Sequence, residues 1–111
     1  MEEFGMYSDM DGVVFAYEKI YAVKFEIRKI KITKHRPIGI KYSFTLHDRN
    51  NNRIFGIDNA HSPGIKRKHP YSKKIVEYDH IHRYNTVEIY RFESISKLMS
   101  DFFEEAKKMV E

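Results

Sequence analysis

Residues 40–84, IKYSFTLHDRNNNRIFGIDNAHSPGIKRKHPYSKKIVEYDHIHRY, decide the fold and carry most of the candidate chemistry. Their opening third alternates, with Tyr42, Phe44 and Leu46 on one face and Lys41, Ser43, Thr45 and His47 on the other. A period of two is the mark of a strand with one wet face. Asn50, Asn51 and Asn52 then break the alternation, and asparagine tolerates the positive φ that tight turns demand. Residues 40–57 therefore predict a β-hairpin whose return strand starts at Arg53. After it the chain turns polar as Asp58-Asn59-Ala60-His61, runs through a basic loop, and returns as Tyr78-Asp79-His80-Ile81-His82-Arg83. Five of the six histidines lie in this stretch. Acids and imidazoles placed where strands give way to loops are the usual location of a working site.

Working outward, a chain of 111 residues has room for one domain and one modest core, so residues 1–111 are expected to form a single domain. Hydrophobic residues at 41%, with eight tyrosines and eight phenylalanines, argue against disorder. No apolar run approaches membrane-spanning length, and the acidic start lacks the positively charged region of a signal peptide, so a cytoplasmic location is expected. With no cysteine, disulfides, thiolate metal sites and cysteine nucleophiles are all excluded.

The charge is unevenly spread. Residues 1–11 carry four acids and no lysine or arginine, whereas residues 27–74 hold thirteen lysines and arginines against Asp48 and Asp58 alone. A basic block in a small domain points to a polyanion, with Lys66, Arg67, Lys68, Lys73 and Lys74 as the candidate nucleic-acid contacts. The bland alternative is that these side chains alternate outward and keep the protein soluble.

In chain order, residues 1–11 read as a weakly ordered lead-in, 13–17 as a short strand and 20–32 as a longer one. Within the latter, Phe25 and Ile27 are out of phase with Ile30 and Ile32, which points to a bulge or a strong twist. Residues 34–39 form a connection punctuated by Pro37 and Gly39. Strands are expected at 75–78 and 86–92. The ending is helical over 94–110: Ser94 or Ser96 can cap it, and Ile95, Leu98, Met99, Phe102, Phe103, Ala106, Met109 and Val110 recur at steps of three and four. The predicted fold is α+β, a mainly antiparallel sheet of five or six strands covered by this C-terminal helix.

His80 and His82, two apart on an extended backbone, point to one face, with Asp79 and Arg83 on the other or at the strand end. Two adjacent imidazoles can hold a metal or divide general-acid and general-base labour in phosphoester cleavage. Asp58 and His61 can join them from the preceding strand end. The bland alternatives are histidines bonded to backbone or carboxylates, and an Asx turn at Asp58-Asn59. Tyr42, Tyr71, Tyr78, Tyr84 and Tyr90 can stack on bases where exposed, but sheet packing accounts for most of them. His35 and His69, beside basic residues, add to the positive surface. Motifs of metalloproteases, P-loop proteins and serine hydrolases are absent.

Tyr42-Ser43 with Leu46-His47-Asp48, then Gly56, Asp58-Asn59-Ala60-His61, Tyr78-Asp79-His80, His82-Arg83, Phe92-Glu93 and Asp101-Phe102-Phe103 resemble the TumE-like toxins of prokaryotic toxin–antitoxin modules. The resemblance spans roughly residues 20–106. It implies a growth-inhibiting toxin acting on RNA and neutralised by a helix-turn-helix antitoxin, and leaves homodimerisation open. It also adds weight to Asp58, His61, His80, His82 and Arg83.

Three readings follow. In a metal-independent ribonuclease, one histidine deprotonates the ribose 2′-hydroxyl, a second basic side chain protonates the leaving oxygen, and Arg83 stabilises the phosphorane; no metal or cofactor is needed. In a metal-dependent nuclease, Asp58, Asp79 and the histidines are ligands, and the dearth of clustered carboxylates counts against it. The third is a non-catalytic module that binds RNA or a partner. The basic loop provides a first test. Replacing Lys66, Arg67 and Lys68 together should weaken RNA binding across sequences and lower its salt slope by roughly three charges' worth. Unchanged affinity and slope in a filter-binding titration would reduce the loop to a solvated tip.

Overall fold

The computed structural model describes residues 7–32, 39–59, 79–84 and 86–111. Six strands follow one another in space in the order of the sequence: β1 (Val14–Tyr17), β2 (Tyr21–Lys29), β3 (Ile40–His47), β4 (Arg53–Asp58), β5 (Asp79–Arg83) and β6 (Thr86–Tyr90). Every neighbouring pair is antiparallel. One helix, α1 (Ile95–Val110), follows the last strand. The architecture is the expected α+β sheet with a C-terminal helix. The strand expected at 75–78 and the connection at 34–38 lie outside the described residues.

The hairpin forms where the asparagines place it. Asn51 takes φ 62°, and the Asp48 carboxylate accepts the backbone N–H groups of Asn50 and Asn52, each at 2.9 Å. Those bonds, the one from Asn52 foremost, pull the Asp48 carboxyl below its ordinary pKa. Asp48 is thereby turn architecture. A bulge is present, but not in β2, whose register with β3 runs unbroken from Ala22 to Lys29. The phase change at Ile30 marks instead the end of the strand, where the Ile30 N–H donates to the Gly39 carbonyl at 2.9 Å. Gly39 sits at φ +68°, and a Cβ there would meet Ile32 Cγ1 at 2.9 Å, so only glycine fits. The bulge falls between β3 and β4: Leu46 pairs with Phe55 and His47 with Arg53, which leaves Ile54 as the extra residue.

The helix begins as its sequence dictates. Ser94 is extended, and its hydroxyl accepts the Lys97 N–H at 3.0 Å. Ile95, Leu98, Phe102 and Ala106 then fall on one stripe and are fully buried. They press on the sheet face formed by Val23, Phe25, Ile27, Ile40, Tyr42, Phe44, Leu46, Phe55 and Ile57. The Phe102 ring stacks on Phe55 at 5.3 Å and meets Phe25 and Phe44 edge-on at 5.9 and 6.0 Å. Two polar ties add to this: Tyr90 donates to Asp101 at 2.6 Å, and Arg83 pairs with Glu88 at 2.8 Å and Glu105 at 3.1 Å. The lead-in is also held, from Tyr7 onward. After a 3-10 turn at Ser8–Met10, the Asp11 carboxylate accepts the Ile27 N–H at 3.1 Å and pairs with Arg28 at 3.3 Å.

Because Phe102 packs against three strands, truncating it to alanine should cost about 3–5 kcal/mol in a denaturant melt. A loss under about 1 kcal/mol would mean that the helix does not pack here in solution.

Candidate active site

Among the described residues a single helix covers one side of the sheet. The alternation of the strands decides what the opposite, open face receives. Two cross-strand rows matter there. In one, Thr45 of β3, Gly56 of β4, His82 of β5 and Val87 of β6 are successive partners. In the next, Ser43, Asp58, His80 and Ile89 are.

The last residue of β4 and the residue after it divide two tasks. Asn59 closes the ladder: its side chain accepts the Tyr42 N–H at 2.8 Å and donates to the Ile40 carbonyl at 2.6 Å. The N–H groups that an Asx turn at Asp58 or Asn59 would engage, those of residues 60 and 61, lie outside the described residues. Asp58 is on the face of the sheet opposite the helix. Only 7% exposed, it sets Oδ2 3.1 Å from His82 Nε2. His80 lies opposite it in register, and the two imidazole rings are 5.9 Å apart. One donor atom from each of Asp58, His80 and His82 lies within 4.8 Å of the others.

Burial pushes the His82 imidazole below its ordinary pKa; Asp58 opposes the shift, while Arg53 and His80 add to it. A neutral ring that donates Nε2–H to Asp58 keeps its lone pair on Nδ1. This is the arrangement of an oriented base with a second imidazole beside it.

Arg53 was not among the residues singled out by sequence. Strict alternation from Phe55 would send it to the helix side, but the bulge at Ile54 re-aims it to pair with His47 on the open face. Gly56 makes the room. A Cβ there would meet Thr45 Cγ2 at 3.1 Å, the Phe44 carbonyl at 3.3 Å and Arg53 Cδ at 3.6 Å. The trace that could have revealed this is the adjacent pair Ile54-Phe55, two apolar residues in a row within an alternating strand. His47 is another such residue, its Nε2 2.8 Å from Thr45 Oγ1.

Of the expected site residues, Asp58, His80 and His82 come together. Arg83 does not join them, because it alternates to the helix side and is held by Glu88 and Glu105. Asp79 alternates the same way and accepts a hydrogen bond from Tyr42, which separates it from the histidines it was weighed with as a ligand. His61, His35, His69, Tyr71, Tyr78, Lys66, Arg67, Lys68, Lys73 and Lys74 lie outside the described residues. Tyr42 and Tyr90 are buried, whereas Tyr84 is 69% exposed.

Burial pushes both members of the Tyr42–Asp79 pair up, the tyrosine further by the charge of the acid. Tyr42→Phe would leave the half-buried Asp79 carboxyl without this donor. It should cost about 1–3 kcal/mol of stability while leaving the open-face chemistry unchanged. Loss of activity in a variant of normal melting temperature would move Asp79 into the site.

Among the described residues no helix is long and apolar enough to cross a membrane. Neither the curated proteins nor the solved structures yield a significant match. The family model described as Toxin TumE matches residues 9–110, nearly the whole chain, so the protein belongs to the TumE toxins, a family whose role implies an antitoxin counterpart.

Proposed function

We propose that this toxin belongs to a type II toxin–antitoxin module and acts on RNA as a metal-independent ribonuclease in the cytoplasm. The observation that carries the proposal is the Asp58–His82 contact of 3.1 Å, with His80 beside it on the face of the sheet opposite the helix. His82, held neutral chiefly by burial, takes the proton of a ribose 2′-hydroxyl on Nδ1. The 2′-oxygen then attacks the adjacent phosphorus. The bond from phosphorus to the 5′-oxygen breaks, and His80 supplies the proton that this oxygen needs. The products are a 2′,3′-cyclic phosphate and a 5′-hydroxyl.

Charge builds on the phosphorane oxygens in this step and calls for a cation. Arg53 takes that role in place of Arg83, since its charge already reaches His82 and no carboxylate among the described residues pairs with it. His61 and the basic residues Lys66, Arg67, Lys68, Lys73 and Lys74 extend the phosphate-binding surface in this reading. The proposed partner is a helix-turn-helix antitoxin, and a sizing measurement decides between monomer and homodimer.

His80→Ala or His82→Ala should lower RNA cleavage by about 100-fold or more, with circular dichroism unchanged. The wild-type rate should persist in excess chelator. A folded double variant that still arrests growth would replace catalysis by inhibition through binding.

A further inference from the structure

We propose that Asp58, His80 and His82 form a binding site for one divalent transition-metal ion of the zinc class, and that the bound ion silences the toxin. The binding stands on geometry alone, whereas the silencing rests on the proton-transfer reading above.

Two imidazoles and one carboxylate are the donors that borderline divalent ions prefer, and with three protein ligands part of the coordination sphere stays open. Zinc holds nitrogen and oxygen ligands at about 2.0–2.2 Å, so tetrahedral neighbours lie roughly 3.4 Å apart. Asp58 Oδ2 and His82 Nε2, at 3.1 Å, already have nearly that spacing. All three donor atoms are within 4.8 Å of one another, so closing the set takes a movement on the order of 1 Å. His80 and His82 are only half-buried and can make it. The backbone needs no change, because the ligands sit on two paired strands, with Asp58 opposite His80 and His82 two residues along on the same face.

The three donors differ in exposure in a way that suits an ion. The carboxylate is 7% exposed, and a divalent cation would neutralise charge in a place where water screens it little. Arg53 stands near enough to act on His82, which favours a site of modest affinity, filled and emptied as metal levels change. An imidazole bonded to metal has no lone pair left for the 2′-hydroxyl proton. Occupancy and paired proton transfer therefore exclude each other.

The full-length chain without an affinity tag should be titrated with Zn2+ by calorimetry and with Co2+ by visible absorption. One ion per chain is expected. Asp58→Asn, His80→Ala and His82→Ala should each weaken binding by about 100-fold or more, while His47→Ala, on the same face, binds as the parent does. RNA cleavage should fall as zinc occupancy rises and recover with chelator. No saturable binding, or binding indifferent to the three ligand substitutions in folded variants, would overturn the site. Cleavage that rises with occupancy would overturn the silencing together with the metal-independent chemistry. A chain that binds zinc through these residues yet cleaves no RNA under any condition would uphold the metal site and overturn the ribonuclease reading and the silencing with it.

Discussion

Phe102 touches aromatic rings on three neighbouring strands, Phe25 of β2, Phe44 of β3 and Phe55 of β4, and the rest of the molecule is arranged around that contact. Among the described residues one helix is available, and it covers one face of the sheet. Every large apolar residue of the central strands is therefore committed to the helix side. What the central strands place on the other side is mostly polar: Lys24, Glu26, Arg28, Lys41, Ser43, Thr45, His47, Arg53 and Asp58. The open face is polar because the covered face has claimed the hydrophobic residues, and a six-stranded antiparallel sheet can tolerate that asymmetry. Exposed apolar residues on that face sit on the edge strands: Val87 and Ile89, at 60% and 61%, beside the histidines on β6, and Val14, at 60%, on β1.

The alternation that makes the platform also sorts residues that are neighbours in sequence. In Asp79-His80-Ile81-His82-Arg83, positions 79, 81 and 83 go to the helix and 80 and 82 to the open face. Asp58 and Asn59 are divided between a histidine and the backbone of β3. Charged residues two bonds apart along the chain thus do unrelated things. Arg83 and Asp79 fasten β5 to the helix and to Tyr42, and their charges serve packing. A motif read as a block, as in YDHIHR, mixes the two groups.

Much of this was legible in the sequence. The hairpin followed from strict alternation broken by asparagines, and the helix from apolar steps of three and four after a serine. Both are local periodicities that a single chain displays without its partners. That His80 and His82 share a face was legible for the same reason, since residues two apart on an extended backbone point the same way; that Asp58 lies opposite His80 depends on the register between β4 and β5. The site cation was not. Its position depends on a bulge, and a bulge shows itself in pairing between strands rather than in the order of residues. The expected bulge in β2 was a strand end, because the loss of phase at Ile30 looks the same whether a strand kinks or stops. The role given to Arg83 failed to use the alternation already in hand: an arginine three residues from His80 on a strand must face away from it.

This division makes the consequences of substitution separable. Asp58, His80, His82 and Arg53 contribute little to the apolar core, so under the proposed mechanism exchanging them removes chemistry and leaves the Phe102 contact in place. Tyr42, Asp79 and Arg83 belong to the packed side, and their loss acts through stability. Both sets fall within the family match over residues 9–110, so membership alone cannot tell which set is catalytic. Parity tells which face a residue takes. From Phe55 onward in β4, and throughout β5, a residue in phase with Phe55, Ile57 and Ile81 lies on the packed face and one in phase with Gly56 on the opposite face, while Arg53, beyond the bulge at Ile54, reaches that opposite face by the register shift. Gly56 marks the boundary, because a Cβ there would crowd Thr45 Cγ2 at 3.1 Å and the Phe44 carbonyl at 3.3 Å.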